Sequence, residues 1–456
     1  MIMKQKLLAL ILVLTMVCSL LAGCGGGSGD GEGGKDSTGS KGKTDLVLWS
    51  VYNDDGVETL YELVDKFNET NGTYKVTVEY AGTQSQVRQK LATYDKKYYP
   101  SLFMCEPASI YDYEYGGYVK SLQDFIDADS DKWADDIFPA AKIAYSDKEG
   151  KMLGGIMGVS AKGWFVNLDI LEAAGYTMED LTSFEKVAEA AQAAHSKGLT
   201  KYGYTPYESF EIQNMLCYQG VDILDNDNGF AGTPTKCLLG EGDTFTYMQK
   251  LADIYAEMVE SKCLYYGGGG VSGASMFINE QLLFWGGTNS YAYNIKDVNL
   301  SFDWAFLPLM GIDDNAQYKD CAMAEGTGLF ITNTGDETEM QGAYELIKFL
   351  AETENQLEWC TYRGYVPYTN EAVNHETWTN FSAEKFPSAA SILEKIQNTP
   401  AELRLPYSPV ASSMNSACSR LSSMINSDPK GDLDSYIKEV TENVNKSLKL
   451  LEMRQE

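Results

Sequence analysis

Aromatic side chains and one isolated carboxylate are the residues best suited to hold a polar molecule. Trp49, Trp164 and Trp285 each lie in an apolar run, and the chain is 12% aromatic with 30 tyrosines. Glu106 follows the apolar run SLFMC and precedes a proline, a position typical of a carboxylate at a cleft. Aromatic planes cover the C–H faces of a sugar ring, and carboxylates accept hydrogen bonds from its hydroxyls. A position in the core explains each tryptophan equally well.

A second group of residues would suit a phosphate instead. Arg404 stands between two leucines, and Ser160 and the glycines near 286 and 326 offer a hydroxyl and backbone N–H groups. Phosphate oxygens accept hydrogen bonds from all three kinds of donor. Arg404 has an alternative role, which is to pair with one of the 65 Asp and Glu side chains of the chain.

Motifs of catalysis, metal binding and cofactor binding are missing from the sequence. The only histidines, His195 and His375, stand in no HExxH pattern and beside no metal-spaced cysteine or carboxylate. No GxSxG elbow occurs, and the GxGxxG matches at 29–34 and 268–273 follow no strand pattern. We therefore predict a protein that is not an enzyme and has no cofactor or metal site. An exported glycan-degrading enzyme with a carboxylate pair is the alternative.

The charge and the N terminus both indicate a protein that works outside the cell. A net charge of −29 argues against nucleic-acid binding, which needs a basic surface. Residues 1–23 carry two lysines, Lys4 and Lys6, followed by an apolar stretch too short to cross a bilayer. This pattern is typical of a secretory signal. Leu21-Ala22-Gly23-Cys24 resembles the bacterial lipobox, so we expect a lipid on Cys24 and anchoring to the extracellular face of the membrane. A plain secretory signal is the alternative.

The segment behind Cys24 and the patterns that follow it differ sharply. Residues 24–44 hold little besides Gly, Ser and charged side chains, and we predict a disordered tether. LVLW then predicts a strand, and VETLYELVDKFNET has apolar residues at helical spacing. A βαβαβ order up to SLFMC is typical of a parallel sheet covered by helices. Later, Thr182 and Glu185 predict a capping box, and GWFVNL, LLFWG, WAFLPL and GLFIT predict buried strands. The fold class is α/β.

Five stretches, in order, resemble landmarks of one family. LVLWSVYNDDGVETLYELVDKFNE resembles its opening strand and first helix, and VTVEYAGTQSQVRQKL resembles its second strand and the turn behind it. GWFVNLDILEAAGY, INEQLLFWGG and YELIKFLAETENQLEWCTYRGYVPYT resemble its later segments. Together they are similar to the extracellular solute-binding proteins of ABC importers, family 1, from about Asp45 to Glu456. The resemblance implies a two-lobe, type II periplasmic-binding-protein-like fold with a ligand cleft between the lobes. It also implies a monomer that delivers a small molecule to the transmembrane subunits of an ABC permease.

Some features are closer to the glycerol-3-phosphate-binding branch of that family. DNDNGFAGTPTKCLLGEGDTF is similar to its NGF-x-G insert, and GYVP followed by NTPAELRLP is similar to its TGYLP and RGIRLG sequences. By that match, five residues stand where the branch contacts its ligand: Glu106, Ser160, Gly326, Tyr365 and Arg404. The chain departs from the branch at Gln84 and over 286–289, and Tyr204, Tyr207 and Phe210 stand where it has tryptophans. These departures favour a sugar or oligosaccharide as the ligand. Glycerol-3-phosphate or a glycerophosphodiester is the alternative.

The organisation of the family divides the chain into two lobes. We expect residues 45–160 and 326–365 in lobe 1, and residues 161–325 and 366–456 in lobe 2. The site then takes Trp49 and Glu106 from lobe 1, and its remaining side chains come from lobe 2 or from beside the hinges: Trp164, Tyr204, Tyr207, Trp285 and Arg404, with Ser160 and Tyr365 at the hinges. A surface structural or adhesion protein is a further rival, and it predicts no stabilisation by a ligand. The seven cysteines from 105 to 418 are interpreted as core residues, with no disulfide predicted.

Overall fold

The structure is a computed structural model that describes residues 42–53, 57–207, 209 and 211–455. The predicted signal segment, Cys24, nearly all of the tether and Phe210 lie outside the described residues. Within them the strands are Thr44–Ser50 (β1), Tyr74–Tyr80 (β2), Leu102–Cys105 (β3), Gly155–Ser160 (β4), Lys162–Asn167 (β5), Tyr202–Thr205 (β6), Leu282–Thr288 (β7), Trp304–Pro308 (β8) and Glu325–Ile331 (β9). Every apolar run predicted to be a strand is one.

The α-helices of the described residues cover the strands and fill the C-terminal third. Apart from the four-residue segment Asp225–Asn228, whose backbone is partly left-handed, they are Val57–Thr70 (α1), Gln84–Thr93 (α2), Ile110–Tyr115 (α3), Leu122–Ala128 (α4), Pro139–Ala144 (α5), Leu168–Ala174 (α6), Phe184–Ser196 (α7), Glu211–Gln219 (α8), Gly242–Glu260 (α9), Val271–Ile278 (α10), Glu337–Leu350 (α11), Thr353–Arg363 (α12), Asn370–Asn374 (α13), Glu376–Glu384 (α14), Ala389–Gln397 (α15), Ala411–Ser427 (α16) and Leu433–Gln455 (α17). None of the described helices is long and apolar enough to span a membrane.

The first sheet has the strand order β2-β1-β3-β9-β4. Strand β1 is parallel to β2 and β3, as the βαβαβ pattern predicts, whereas β9 is antiparallel to β3 and β4. Helix α1 buries Leu60, Leu63, Val64 and Phe67 at the predicted spacing. Strand β9 comes from far along the chain, after all four strands of the second sheet.

The second sheet has the strand order β6-β7-β5-β8. Its central strand β5 is antiparallel to both neighbours, and every residue of β5 is buried. Helix α7 packs on β6 and β7, and helices α9, α16 and α17 extend the same apolar cluster, which includes Val187, Leu251, Leu421 and Val440. The two separate sheets confirm the predicted two-lobe α/β class.

Three chain segments connect the two sheets. Ala161 alone separates β4 from β5, residues 309–324 lead from β8 to β9, and the segment behind α12 pairs with β4 through two hydrogen bonds between Val159 and Val366 (3.0 and 2.8 Å). The fully buried Asn289 joins two of these segments. Its Oδ1 accepts from Ala161 N at 2.6 Å, and its Nδ2 donates to Gly364 O at 2.7 Å. The lobe boundaries predicted above fall beside Ala161, at the start of β9 and beside Val366, and we keep them as a proposal.

Two local predictions concern a helix cap and the cysteines. The capping box of Thr182 and Glu185 is wrong, because Ser183 is the N-cap of α7 and the Thr182 hydroxyl donates to Asp314 at 2.7 Å. A capping box forms instead at α2, between Thr83 and Gln86. The seven cysteines of the described region are free thiols, and all except the partly exposed Cys321 are buried.

Candidate functional site

A cleft opens where the loop behind β3 faces the segment that precedes α16. Its walls come from residues 107–111, 140–146, 323–325 and 399–407, with Phe230 on one side. The volume of the cleft is about 100 Å³. The aromatic and polar side chains that line the cleft are Tyr111, Ser146, Phe230, Glu325, Thr399, Arg404 and Tyr407. We refer to this space as the cleft.

Arg404 lines the cleft, as its predicted role requires. Its guanidinium carbon lies 3.2 Å from the centre of the Phe230 ring. The Nε atom of Arg404 is buried and has no hydrogen-bond partner. Burial lowers the pKa of the guanidinium, while the charges of Asp227 and Glu402 raise it. A buried donor without a partner calls for an acceptor, and a molecule in the cleft could supply one.

Tyr407 connects the two walls of the cleft. Its hydroxyl donates to a carboxylate oxygen of Glu114, which follows β3 in the first sheet. The Tyr407 ring meets Tyr111 edge-on at 5.0 Å between centroids and lies 5.6 Å from Phe230. Burial and the nearby Glu114 raise the pKa of Tyr407, so its hydroxyl stays protonated. The cleft therefore has an aromatic lining contributed from both sides.

Glu106 lies at the edge of the cleft rather than in its wall. Its neighbours Pro107 and Ala108 line the cleft, but the Glu106 carboxylate pairs with Arg88 and accepts from Ser109 Oγ at 2.8 Å. The side chain of Glu106 is 19% exposed. A ligand can therefore reach this carboxylate only in competition with its existing ion pair, which the sequence did not reveal.

Ser160 and Gly326, two of the predicted site residues, lie close together where β4 pairs with β9. Ser160 is buried opposite Glu325, and Gly326 has φ 132° with Gly158 O only 2.3 Å from where a Cβ would be. Glu325 itself lines the cleft, and its carboxylate accepts from Lys162 Nζ at 2.8 Å. A polar group from each sheet thus meets at the floor of the cleft.

Tyr365 lies behind the cleft, on the side of the crossing segments. Its buried hydroxyl is 2.9 Å from the hydroxyl of Tyr52, which is 2.5 Å from Thr327 Oγ1. Burial raises the pKa of Tyr52 well above its usual value. The three hydroxyls form a chain of donors and acceptors, and none of the three residues lines the cleft.

Three predicted aromatic contacts lie in the core instead of the cleft. Trp164 and Trp285 are fully buried on neighbouring strands, where Trp164 stacks on Phe184 and Trp285 stacks on Phe165 at 4.5 Å. Tyr204 is equally buried, and its hydroxyl donates to a carboxylate. These side chains support the second sheet by packing, and we leave all three out of the proposed contact set.

Two further aromatic candidates have other neighbours. Trp49 is 7% exposed and packs against the Tyr94 ring, with Lys90 Nζ 5.3 Å from its ring centre. Tyr207 meets Tyr291 edge-on at 5.9 Å and stands at a separate hollow beside Gly267 and Gly269. Neither lines the cleft described above.

A buried carboxylate holds the backbone at Tyr207. Glu211, only 1% exposed, accepts from Tyr207 N at 2.8 Å, from the Tyr204 hydroxyl at 2.7 Å and from the Tyr255 hydroxyl at 3.0 Å. Burial raises the pKa of Glu211 to about 7, although the three hydrogen bonds and the charge of Lys162 oppose this effect.

Sequence reasoning missed three aromatic side chains of the cleft lining. Phe230, Tyr111 and Tyr407 are aromatic, like the tryptophans that it selected, but they lie in loops or a short helix rather than in apolar runs. The signal that could have found them is proximity to turn residues, because binding residues are concentrated on loops held by a rigid scaffold. Among the described residues, no three His, Cys, Asp or Glu side chains converge to hold a metal ion.

Comparison with known proteins places this geometry in context. A family model described as bacterial extracellular solute-binding protein matches residues 62–386. The sn-glycerol-3-phosphate-binding periplasmic protein UgpB of Pectobacterium atrosepticum is 23% identical over 371 residues, which cover 80% of this chain and 82% of that protein. The sugar-binding protein MalE of Xanthomonas citri has a similar structure, with a TM-score of 0.71, 17% identity and coverage of 91% of this chain and 100% of that one. UgpB of Mycobacterium tuberculosis in complex with glycerophosphocholine superposes with a TM-score of 0.70, 18% identity and coverage of 91% and 100%.

Proposed function

Because the chain belongs to the bacterial extracellular solute-binding proteins, we propose that it captures a sugar or oligosaccharide in the cleft and delivers it to an ABC permease. The observation that carries this proposal is the composition of the cleft, whose two walls both contribute aromatic faces and polar groups. A ligand that touches both walls stabilises a closed conformation over an open one, because it gains contacts only when the walls approach.

The lining of the cleft favours a carbohydrate. Tyr111 and Tyr407 offer aromatic faces for the C–H surface of a sugar ring, and Glu325 offers a carboxylate for its hydroxyls. The Tyr407 hydroxyl donates to Glu114 and so joins the two walls. Tight binding of a neutral, polyhydroxylated ring needs this mixture of apolar planes and convergent polar groups.

Glycerol-3-phosphate or a glycerophosphodiester is the second candidate ligand. The supporting observation is Arg404, whose buried Nε donor has no partner and would suit a phosphate oxygen. The names of the UgpB relatives point to the same compounds. Carboxylates in and beside the cleft weigh against an anion, since Glu325 lines it, Glu106 lies at its edge and Glu114 accepts from Tyr407.

The remaining parts of the proposal concern where and how the protein acts. A lipid on Cys24 and the tether of residues 24–44 would hold the binding domain at the extracellular face of the membrane, close to the permease. We further propose that the protein works as a monomer and releases its ligand chemically unchanged. The residues that would bind the ligand are Arg404, Glu325, Tyr111 and Tyr407, with Glu106 at the rim.

Ligand binding is expected to stabilise the purified protein. A ligand present at 100 times its Kd should raise the free energy of unfolding by about 2.7 kcal/mol. We would measure thermal and urea unfolding with maltotriose, sn-glycerol 3-phosphate and a glycerophosphodiester, and analyse the recovered ligands by mass spectrometry. Stabilisation with unchanged ligand supports solute binding. Hydrolysis of a glycan would favour the enzyme, and no stabilisation by any compound would favour a structural or adhesion protein.

Replacing Arg404 by alanine separates the two ligand classes. Loss of a hydrogen bond from a charged donor costs about 1.5–3 kcal/mol, so binding of a phosphate compound should weaken roughly 10- to 150-fold. A neutral sugar should lose less, because it has no charge to match. Isothermal titration of both compounds measures the difference. Arg420→Ala is the control, because Arg420 is exposed and pairs with Glu439 on the neighbouring helix α17. Equal losses for both classes would contradict this assignment of Arg404.

A further inference from the structure

The segment before Phe230 has an unusual backbone. Asn226, Asp227 and Asn228 have φ angles of 55°, 54° and 50°, and Gly229 follows with φ 91°. Left-handed conformations cost non-glycine residues about 1 kcal/mol or more each, so three in succession persist only where surrounding contacts hold them. Asn228 Oδ1 provides such contacts by accepting from Ile223 N at 2.7 Å and Leu224 N at 3.0 Å. We call residues 226–229 the left-handed turn.

The backbone of the left-handed turn contacts the segment that carries Arg404. Tyr407 N donates to Asn228 O at 2.9 Å. At Gly229, a Cβ would lie 2.1 Å from Tyr407 O, so the backbones approach too closely for any side chain there. Phe230 is the next residue. The backbone contacts of Asn228 and Gly229 with Tyr407 therefore set its position relative to residues 404–407.

Phe230 and Arg404 meet at the end of this arrangement. The guanidinium stacks on the ring at 3.2 Å, and both residues line the cleft. Stacking occupies the flat face of the guanidinium and leaves its in-plane N–H donors to point past the ring. The buried Nε has no hydrogen-bond partner in the protein. A long side chain that would otherwise sample many rotamers is thus held beside the cleft with a donor unused.

We propose that Phe230 is a positioning residue for ligand binding, and that the left-handed turn serves to place it under Arg404. Held in this way, Arg404 presents a fixed donor to an oxygen acceptor of the ligand, so little side-chain entropy is lost on binding. This inference rests on the proposed function and adds that the ligand carries an oxygen acceptor at this end of the cleft.

The binding test compares Phe230→Ala, Phe230→Leu and Phe230→Tyr with the wild-type protein. The probe is whichever of maltotriose and sn-glycerol 3-phosphate binds the wild type, and isothermal titration measures its Kd. Loss of the stack, worth about 0.5–2 kcal/mol, should weaken binding about 2- to 30-fold in the Ala and Leu variants. Tyrosine, which keeps the aromatic face, should restore most of the affinity. Phe230→Ala should have no added effect in an Arg404→Ala background.

Full additivity of Phe230→Ala and Arg404→Ala would overturn the proposal, because it would show that Phe230 acts on the ligand directly. If Phe230→Ala does not fold, Phe230→Leu carries the test, since it keeps apolar volume without an aromatic face. Tyr98→Ala serves as a matched control, because Tyr98 is a 63% exposed aromatic residue outside the cleft.

A second measurement needs no ligand and separates this inference from the proposed function. Phenylglyoxal modifies accessible guanidinium groups, and peptide mass spectrometry gives the rate at Arg404 alone. We expect a rate 2- to 30-fold higher in Phe230→Ala and Phe230→Leu than in the wild type, in line with the free energy of the lost stack. An unchanged rate would show that Phe230 does not hold Arg404, whatever ligand the protein binds. If no probe binds the wild type, the proposed function fails while this rate still decides the positioning role.

Discussion

Asn289→Ala is expected to lower the free energy of unfolding by about 2–6 kcal/mol. The substitution removes the acceptor for Ala161 N and the donor to Gly364 O, and both of these backbone groups are bonded where the two sheets are connected. Each buried group left without a partner costs about 1–3 kcal/mol. Urea unfolding followed by tryptophan fluorescence measures the change. Because one side chain joins two crossing segments, we also expect the two sheets of the variant to lose cooperativity and the unfolding transition to broaden.

Two variants test whether this effect comes from the proposed hydrogen bonds. Asn289→Asp keeps an acceptor for Ala161 N but places a carboxylate oxygen against Gly364 O, so it should be destabilised as well. Asn279→Ala removes an exposed side chain that bonds only to Ser275 O within its own helix end, and it should change stability by less than about 0.5 kcal/mol. If Asn289→Ala were as stable as Asn279→Ala, the crossing segments would have to be held by other contacts.

Periodicity predicted the elements of this fold because burial leaves a direct trace in sequence. Runs such as WAFLPL and GLFIT are apolar throughout, since strands in a covered sheet are buried on both faces. The pairing of the strands leaves no such trace in the sequence. Strand β9 inserts between β3 and β4, and no local pattern identifies that neighbour, because the hydrogen bonds that define it join residues more than 150 positions apart.

The same physics explains why the aromatic residues of the site were harder to predict. An apolar run around Trp164 or Trp285 signals burial, but burial in a core and burial in a ligand cleft have the same local signature. Arg404 was found through the family resemblance, and it does line the cleft. Phe230 follows the turn-forming sequence DNDNG, which predicts a turn but says nothing about the guanidinium that packs on the ring.

Glu211 shows how tertiary packing overrides a local expectation. An acidic residue in the first turn of a helix normally stays in water, where the helix dipole favours its charge. Here the hydroxyls of Tyr204 on β6 and Tyr255 on α9 close over the carboxylate, and burial raises its pKa from an ordinary 4.5 to about 7. Lys162 on β5 is the nearby charge that opposes this rise.

Glu211→Gln is therefore expected to change how stability depends on pH. Below about pH 4.5 the Glu211 carboxyl is protonated in both the folded and the unfolded wild-type chain. As the pH rises towards 7, the unfolded chain loses this proton while the folded protein keeps it, so the free energy of unfolding falls. The loss is complete above pH 7 and amounts to about 3 kcal/mol, at 1.36 kcal/mol for each pH unit between the two pKa values.

Glutamine cannot ionise, yet its amide can still accept from Tyr207 N and donate to a tyrosine hydroxyl. The difference in the free energy of unfolding between Glu211→Gln and wild type should therefore grow in favour of the variant from pH 5 to pH 8. Glu257→Gln, at an exposed position of α9, should follow the wild-type curve. Parallel curves for Glu211→Gln and wild type would mean that the buried carboxylate is ionised in the folded protein at pH 5. In that case the three hydrogen bonds outweigh burial, and the backbone at Tyr207 is held by a charged group throughout this pH range.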